Sequence, residues 1–304
     1  MNIKKLKDYK DIKTNQDVVL VLGYFDGLHL GHQALLREAK NIANQAGGKV
    51  LVLTFPESPQ LAFQKFSPEL LLHISSPEKR YERFAAYGVD ELYLLDFTSS
   101  FAQLTAAEFL TDYIGRIAPL AVVVGFDYKF GHDGKDGAYL AQALSVPVRI
   151  VEEVKQGDEK ISSTRIRALL KEGKVKEVNQ LLGYDLSITG LVVHGDARGR
   201  LLGFPTANLA LLDRVHLPAE GVYVTKVRVG QQDYRAMTSI GKNVTFGGTE
   251  LRIESHLFDF TGDIYGEKID IFWLDKIREM EKFSEINQLV LQLKKDQKIA
   301  KNWK

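Results

Sequence analysis

The sequence predicts an α/β domain built on a parallel sheet, followed by an antiparallel β domain that ends in one helix. Up to about residue 182, apolar runs alternate with helical segments, the rhythm of a parallel sheet. Beyond residue 186, short β-rich segments follow one another with no helical pattern between them. At 304 residues the chain is also long for a single core, which favours two domains.

In the first half the apolar runs lie at 18–22, 50–54, 92–95, 121–124 and 146–151. The first, Val18 to Leu22, is bounded by a glycine-rich stretch and reads as a buried strand entering a tight turn. A helix follows, because Leu35, Leu36, Ala39, Ile42 and Ala43 recur at helical spacing until Gly47 and Gly48 stop it. Helix starts are marked elsewhere by Ser76 before Pro77 and by a capping box of Thr105 and Glu108. In the second half, "SITGLVV", "GVYVTKVRV", "DYRAMTSIG", "LRIESHLFDF" and "KIDIFWLDKI" are divided by Gly, Asp and Asn, as in an antiparallel barrel or sandwich. One amphipathic helix from about Ser284, with Ile286, Leu289, Val290 and Leu293 on one face, closes it. The boundary is expected near 183–186, giving domains 1–183 and 184–304.

Composition narrows the function classes. With 45% hydrophobic and 26% charged residues and no apolar stretch near the roughly 20 residues a membrane helix needs, no membrane partner is expected. The charged start lacks a signal-peptide core, so the cytoplasm is the expected compartment. The absence of cysteine excludes disulfides, thiolate metal sites and a cysteine nucleophile. A net charge of +1 gives no electrostatic reason to expect nucleic acid. A homo-oligomer is left open.

The candidate chemistry sits where strands hand over to helices. In "GYFDGLHLGH" at 23–32, His29 and His32 flank Gly31 at the start of a helix, where open α/β sheets bind ligands. No third ligand stands at a zinc-like spacing nearby, and the flanking glycines favour a phosphate cradle over core packing. Asp26 reads as turn chemistry. "GFDYKFG" at 125–131 follows another strand. "ISSTRIR" at 161–167 places Ser162, Ser163, Thr164, Arg165 and Arg167 at a helix start, a set suited to polyphosphate.

These three blocks resemble the signatures of the bacterial bifunctional riboflavin kinase/FMN adenylyltransferases, or FAD synthetases. The second half carries five further blocks in order: "HGDARGRLLGFPTANL", "GVY", "SIGKNVTFGG", "IESHLFDF" and "DIYGEKI". The resemblance implies a Rossmann-like nucleotidyltransferase domain and a β-barrel kinase domain with a terminal helix. It implies that ATP phosphorylates riboflavin to FMN and then adenylylates FMN to FAD, with Mg2+ as cofactor. His29 and His32, with Gly23, Phe25 and Gly31, would bind the triphosphate and stabilise charge on its α-phosphate. Ser163, Thr164, Arg165 and Arg167 would hold the leaving phosphates, and Asp127 would lie near nucleotide or flavin. In the kinase half, Thr206 and Asn208 would hold the magnesium–nucleotide and Glu254 would take the riboflavin hydroxyl proton. The segment containing Gly195, Arg200, Gly203 and Pro205 would fold over the phosphates. The chain departs from the family pattern at "FPESPQ", where Ser58 falls near a usual histidine, at Val244 in place of a proline, and at "HDGKDG", where Lys135 is the only cation. A single-function nucleotidyltransferase with a non-catalytic β domain is the alternative; the "PTAN" and "IESH" blocks speak against it.

Overall fold

Six parallel strands form the first sheet, and the most apolar of them lies inside it. In chain order the strands are β1 (Asn2–Leu6), β2 (Val18–Leu22), β3 (Lys49–Thr54), β4 (Glu91–Leu95), β5 (Ala121–Gly125) and, after a short antiparallel ribbon of β6 (Lys129–Phe130) and β7 (Lys135–Asp136), β8 (Val148–Val151); a second antiparallel ribbon, β9 (Lys155–Gln156) and β10 (Glu159–Lys160), follows. Their order across the sheet is β1-β4-β3-β2-β5-β8. The computed structural model describes residues 1–13, 17–196, 198–242 and 251–304, so Val244 lies outside the described residues. By its contacts the chain divides into two compact units, residues 1–73 with 77–162, and residues 74–76 with 163–304.

All five residues of β2 are buried, because successive side chains enter cores on opposite faces of the sheet. Val18, Leu20 and Leu22 join one core; Val19 and Val21 join the other with Leu35, Leu36, Ala39 and Ala43 of the helix Leu30–Ala46. That helix ends at Gly47, whose φ of 67° and N–H bond to the Ala43 carbonyl make the expected stop. After β2 the strand order reverses, β3 lying on one side and β5 on the other, and the loop leaving β2 emerges at this switch point. The sequence reading did not anticipate β1, a lysine-bearing edge strand with one buried residue, Leu6. The capping box of Thr105 and Glu108 is present.

The second unit opens with the helices Ser163–Lys171 and Val175–Leu182. A closed antiparallel barrel follows, with the strands β11 (Ser187–Val193), β12 (Ala207–Leu211), β13 (Gly221–Val229), β14 (Gln232–Lys242), β15 (Leu251–Leu257) and β16 (Lys268–Arg278). Around the barrel they run β11-β12-β15-β14-β13-β16. A short helix, Arg198–Leu201, lies between β11 and β12 where the sequence pattern suggested none. Inside, a buried chain of hydroxyls links Thr225 to Thr238 (2.7 Å) and Thr238 to Ser255 (2.5 Å).

The terminal helix, Ile286–Asn302, packs Val290, Leu293 and Ala300 against Phe204, Val224, Met237, Phe258 and Leu274. Ile286 does not share that face; it is 55% exposed at the first helical position, before the helix docks. The face instead buries a charge. Asp296 is fully enclosed and accepts from Arg278 Nη2 (2.8 Å) and Nε (3.0 Å) and from Gln292 (2.9 Å). Removing one member of such a pair strands the other, so Asp296→Ala should destabilise the barrel by about 3–5 kcal/mol. Urea denaturation followed by circular dichroism checks this, and the double variant Arg278→Met, Asp296→Leu should recover most of the loss.

Candidate active sites

The loop leaving β2 turns through three residues of positive φ: Phe25 (62°), Gly27 (78°) and Leu28 (41°). The reversal stays tight because Phe25 folds its ring back under Gly23, where any Cβ would lie 2.7 Å from the ring. That ring is buried and meets Phe84 and His32 edge-on, with centroids 5.7 and 5.1 Å apart. His29 is thereby set as the N-cap of the helix Leu30–Ala46, its Nδ1 accepting from the His32 backbone N–H at 3.3 Å. With Nδ1 an acceptor, Nε2 is the His29 nitrogen that can donate a hydrogen bond. The His29 and His32 rings stack with centroids 3.7 Å apart, and Gly31 leaves room for them, since a Cβ there would sit 3.1 Å from His29. His32 Nδ1 is enclosed without a hydrogen-bond partner. Burial, then the neighbouring His29, Arg80 and Lys160, holds the His32 pKa well below its usual value, so the ring is neutral.

Three further groups support this loop. The Tyr24 carbonyl accepts from Thr54 Oγ1 (2.9 Å) and from Arg80 Nη1 (3.5 Å). The Tyr24 hydroxyl lies 3.2 Å from His73 Nδ1, and His73 Nε2 faces Glu57 Oε2 at 3.3 Å. Glu57 belongs to the divergent "FPESPQ" stretch, in which Ser58 caps the short helix Pro59–Ala62. Asp127 pairs with Lys160 at 2.5 Å, and Lys160 also lies 4.5 Å from the Phe126 ring centroid. Lys135 sits over Tyr139, 5.2 Å from its ring centroid. Ser163, Thr164, Arg165 and Arg167 open a helix of the second unit, Thr164 exposed and Arg165 and Arg167 partly buried.

In the barrel, antiparallel register sets Asn208 of β12 directly opposite Glu254 of β15. Thr206, two residues before Asn208, donates its hydroxyl to Glu254 Oε2 at 3.4 Å. Gly195 approaches Asn208 so closely that a Cβ would lie 2.4 Å from its side chain. Gly203, with φ of 82°, follows the short helix that bears the exposed Arg200. The Pro205 carbonyl accepts from His256 Nδ1 at 2.7 Å, which fixes the ring's tautomer. Burial raises the Glu254 pKa, against the opposing pull of Arg252 and the Thr206 hydroxyl. Thr206 lines two cavities of about 170 Å³ each. One is flanked by Glu254, Val222, Met237 and Phe283, the other by Arg200, Pro205, Ser255 and Tyr265. Among the described residues no three His, Asp or Glu side chains gather to hold a metal, and no helix is long and apolar enough to cross a membrane.

The comparisons with known proteins divide at the same change of architecture. Residues 11–165 match the family model described as FAD synthetase, and residues 182–304 match riboflavin kinase. The bifunctional riboflavin kinase/FMN adenylyltransferase of Listeria monocytogenes is 39% identical over 93% of this chain and 91% of its own. That of Bacillus subtilis is 37% identical over 93% of this chain and 91% of its own. The chain belongs to the bifunctional riboflavin kinase/FMN adenylyltransferases. As a member of that family it phosphorylates riboflavin to FMN and adenylylates FMN to FAD with ATP, and a single-function transferase is not supported. A solved structure from Streptococcus pneumoniae, titled a macrolide-efflux protein, is 50% identical over the whole of both chains, with a TM-score of 0.95.

Sequence reasoning overlooked His256 and Lys160 beside the candidate residues and the supports of the first loop. Arg80 carried a readable signal, since it precedes the buried Phe84 by one helical repeat and shares its inward face. The neutral state of His32 generates a pH dependence. Burial also lowers the pKa of His256, so both rings refuse in the folded chain a proton that the unfolded chain accepts below 6.5. Their contribution to stability is complete above that value and is lost as pH falls from it through the lower folded pKa values. Urea midpoints measured on either side of pH 6.5 should show the decline, and His32→Gln should reduce it in the first unit.

Proposed function

We propose that His29 and His32 bind the ATP phosphates for FMN adenylylation, and that Glu254 is the general base for riboflavin phosphorylation. What supports the first assignment is a stacked imidazole pair at a helix N-terminus, with His32 held neutral and Gly31 leaving room for the stacked rings. Such groups donate hydrogen bonds to charge developing on the α-phosphate as the FMN phosphate attacks and pyrophosphate leaves. The attacking phosphate is already ionised near neutral pH and needs no base. Ser163, Thr164, Arg165 and Arg167 serve the leaving phosphates, and Asp127 serves the nucleotide or flavin; these roles rest on the motif match.

The single observation that most favours the kinase assignment is Glu254, with its raised pKa, beside the Thr206 hydroxyl and opposite Asn208 at the edge of a largely apolar cavity. An alcohol must lose its proton to attack, and a carboxylate made more basic by burial is suited to take it. The donor set fits Mg2+: Thr206 and Asn208 offer neutral oxygens, as a hard cation needs when phosphates balance its charge. They would hold the ion, which when bound neutralises the charge of the transferring phosphoryl group. Gly195, Arg200, Gly203 and Pro205 would border the nucleotide. We assign adenylylation to residues 1–183, phosphorylation to residues 184–304 and the cytoplasm as the compartment. Efflux, the activity named for the Streptococcus pneumoniae protein, is not our reading, because both family models and the curated relatives name flavin-nucleotide enzymes.

Glu254→Gln keeps size and hydrogen bonding but removes the basic oxygen. It should slow riboflavin phosphorylation by about 100-fold to 10,000-fold and leave conversion of supplied FMN to FAD near its normal rate. Loss of both activities in a folded variant would remove Glu254 from the role. His29→Ala should do the converse, cutting FAD formation on the order of 100-fold or more while FMN is still made. Chromatographic separation of the flavins reads both outcomes.

A further inference from the structure

Beneath the loop that carries His29 and His32 lies a charge that no carboxylate among the described residues pairs with. Arg80 is fully buried, although a buried arginine is ordinarily paired with a carboxylate. Here every acceptor is a neutral carbonyl: Phe55 O at 3.0 Å, Pro56 O at 3.1 Å and Tyr24 O at 3.5 Å. The Tyr24 and Tyr81 rings lie 5.5 and 5.6 Å from the guanidinium carbon, and Nε has no acceptor. A guanidinium does not shed its proton, so the charge persists in a medium that penalises it. For holding the helix Pro77–Ala86 in place, an apolar side chain of similar length would serve at lower cost.

We propose that Arg80 is a positioning residue and built-in counter-charge of the adenylylation site, clipping the Tyr24 loop to the Phe55–Pro56 segment and offsetting the negative charge of bound ATP phosphates from below. The inference rests on reading His29 and His32 as the phosphate site. Arg80 touches no substrate. Its three carbonyl bonds join the loop after β2, the segment after β3 and the helix Pro77–Ala86, so the elements that shape the cradle share one anchor. The electrostatic role has a trace in the unliganded protein: the Arg80 charge is one of the influences that hold His32 neutral. The same field favours an anion above the loop, and its low-dielectric surroundings screen it little. A buried cation without a carboxylate partner is costly, and a bound polyanion would offset that cost.

The test uses the full-length chain with Arg80→Met, which keeps length without charge, and Arg80→Lys, which keeps charge without the planar fork. Riboflavin phosphorylation is the internal control, and FMN-to-FAD kinetics in ATP, the thermal midpoint and a histidine-ring NMR titration are the readouts. Arg80→Met should remain folded and phosphorylate riboflavin normally. It should also lose about 10-fold to 100-fold in kcat/KM for FAD formation. The His32 titration should move up toward the ordinary histidine value, and Arg80→Lys should recover part of both effects. A folded Arg80→Met with parental FAD synthesis overturns the proposal. So does an Arg80→Lys no better than Arg80→Met with His32 unmoved, or a collapse of both variants, which would make the role structural. His29→Ala in parallel separates the two readings. If it retains FAD synthesis, the phosphate-site reading fails; if it loses FAD synthesis while Arg80→Met keeps it, only the counter-charge fails.

Discussion

The amino-terminal site depends on one constraint, the reversal of the chain between β2 and its helix within six residues, Gly23 to Leu28. Two non-glycine residues, Phe25 and Leu28, hold positive φ in that reversal, each a local strain on the order of 1–3 kcal/mol. Strain of this size persists only where the surroundings over-determine it. The Phe25 ring is pinned between Gly23, Phe84 and His32, and Leu28 is completely buried. The Tyr24 carbonyl is tied to Thr54 and Arg80. The return is position: His29 becomes the helix cap, and the two imidazoles stack at the carboxyl edge of the sheet.

The two halves solve different chemical problems, and their electrostatics differ accordingly. Burial pushes the His32 pKa down, leaving an uncharged ring at the proposed phosphate site. In the barrel, burial pushes the Glu254 pKa up, making a stronger base at the position proposed to deprotonate the riboflavin hydroxyl. One physical cause, desolvation, disfavours the charged form in both cases and yields opposite functions because one group is cationic and the other anionic when charged. The neighbours then fine-tune: Arg80 and Lys160 reinforce the effect on His32, whereas Arg252 and Thr206 moderate that on Glu254.

Much of this architecture is written in local pattern. β2 is legible because a strand buried on both faces is apolar throughout, and the helix after it because its inward residues repeat at helical spacing up to Gly47. β1 is not, since an edge strand tolerates lysines and needs only one inward side chain, Leu6. Ile286 reads as part of an apolar face but falls at a helix start, while Asp296, which no local pattern marks, is buried because Arg278, eighteen residues earlier, reaches it. At the sites, the motif histidines and Glu254 were legible by resemblance, whereas the neutral state of His32 and the charge of Arg80 beneath it arise from packing across distant segments. Spacing along the chain holds no record of such contacts.

The central claim is that one chain houses two independent chemistries, each with its own means of handling charge. Mixing purified His29→Ala and Glu254→Gln proteins with riboflavin, ATP and magnesium tests it directly. Either protein alone should fail to carry riboflavin through to FAD at an appreciable rate. The mixture should restore FAD formation, because FMN released by the first variant is substrate for the second. A mixture that makes no more FAD than its components, with both proteins folded, would contradict the account.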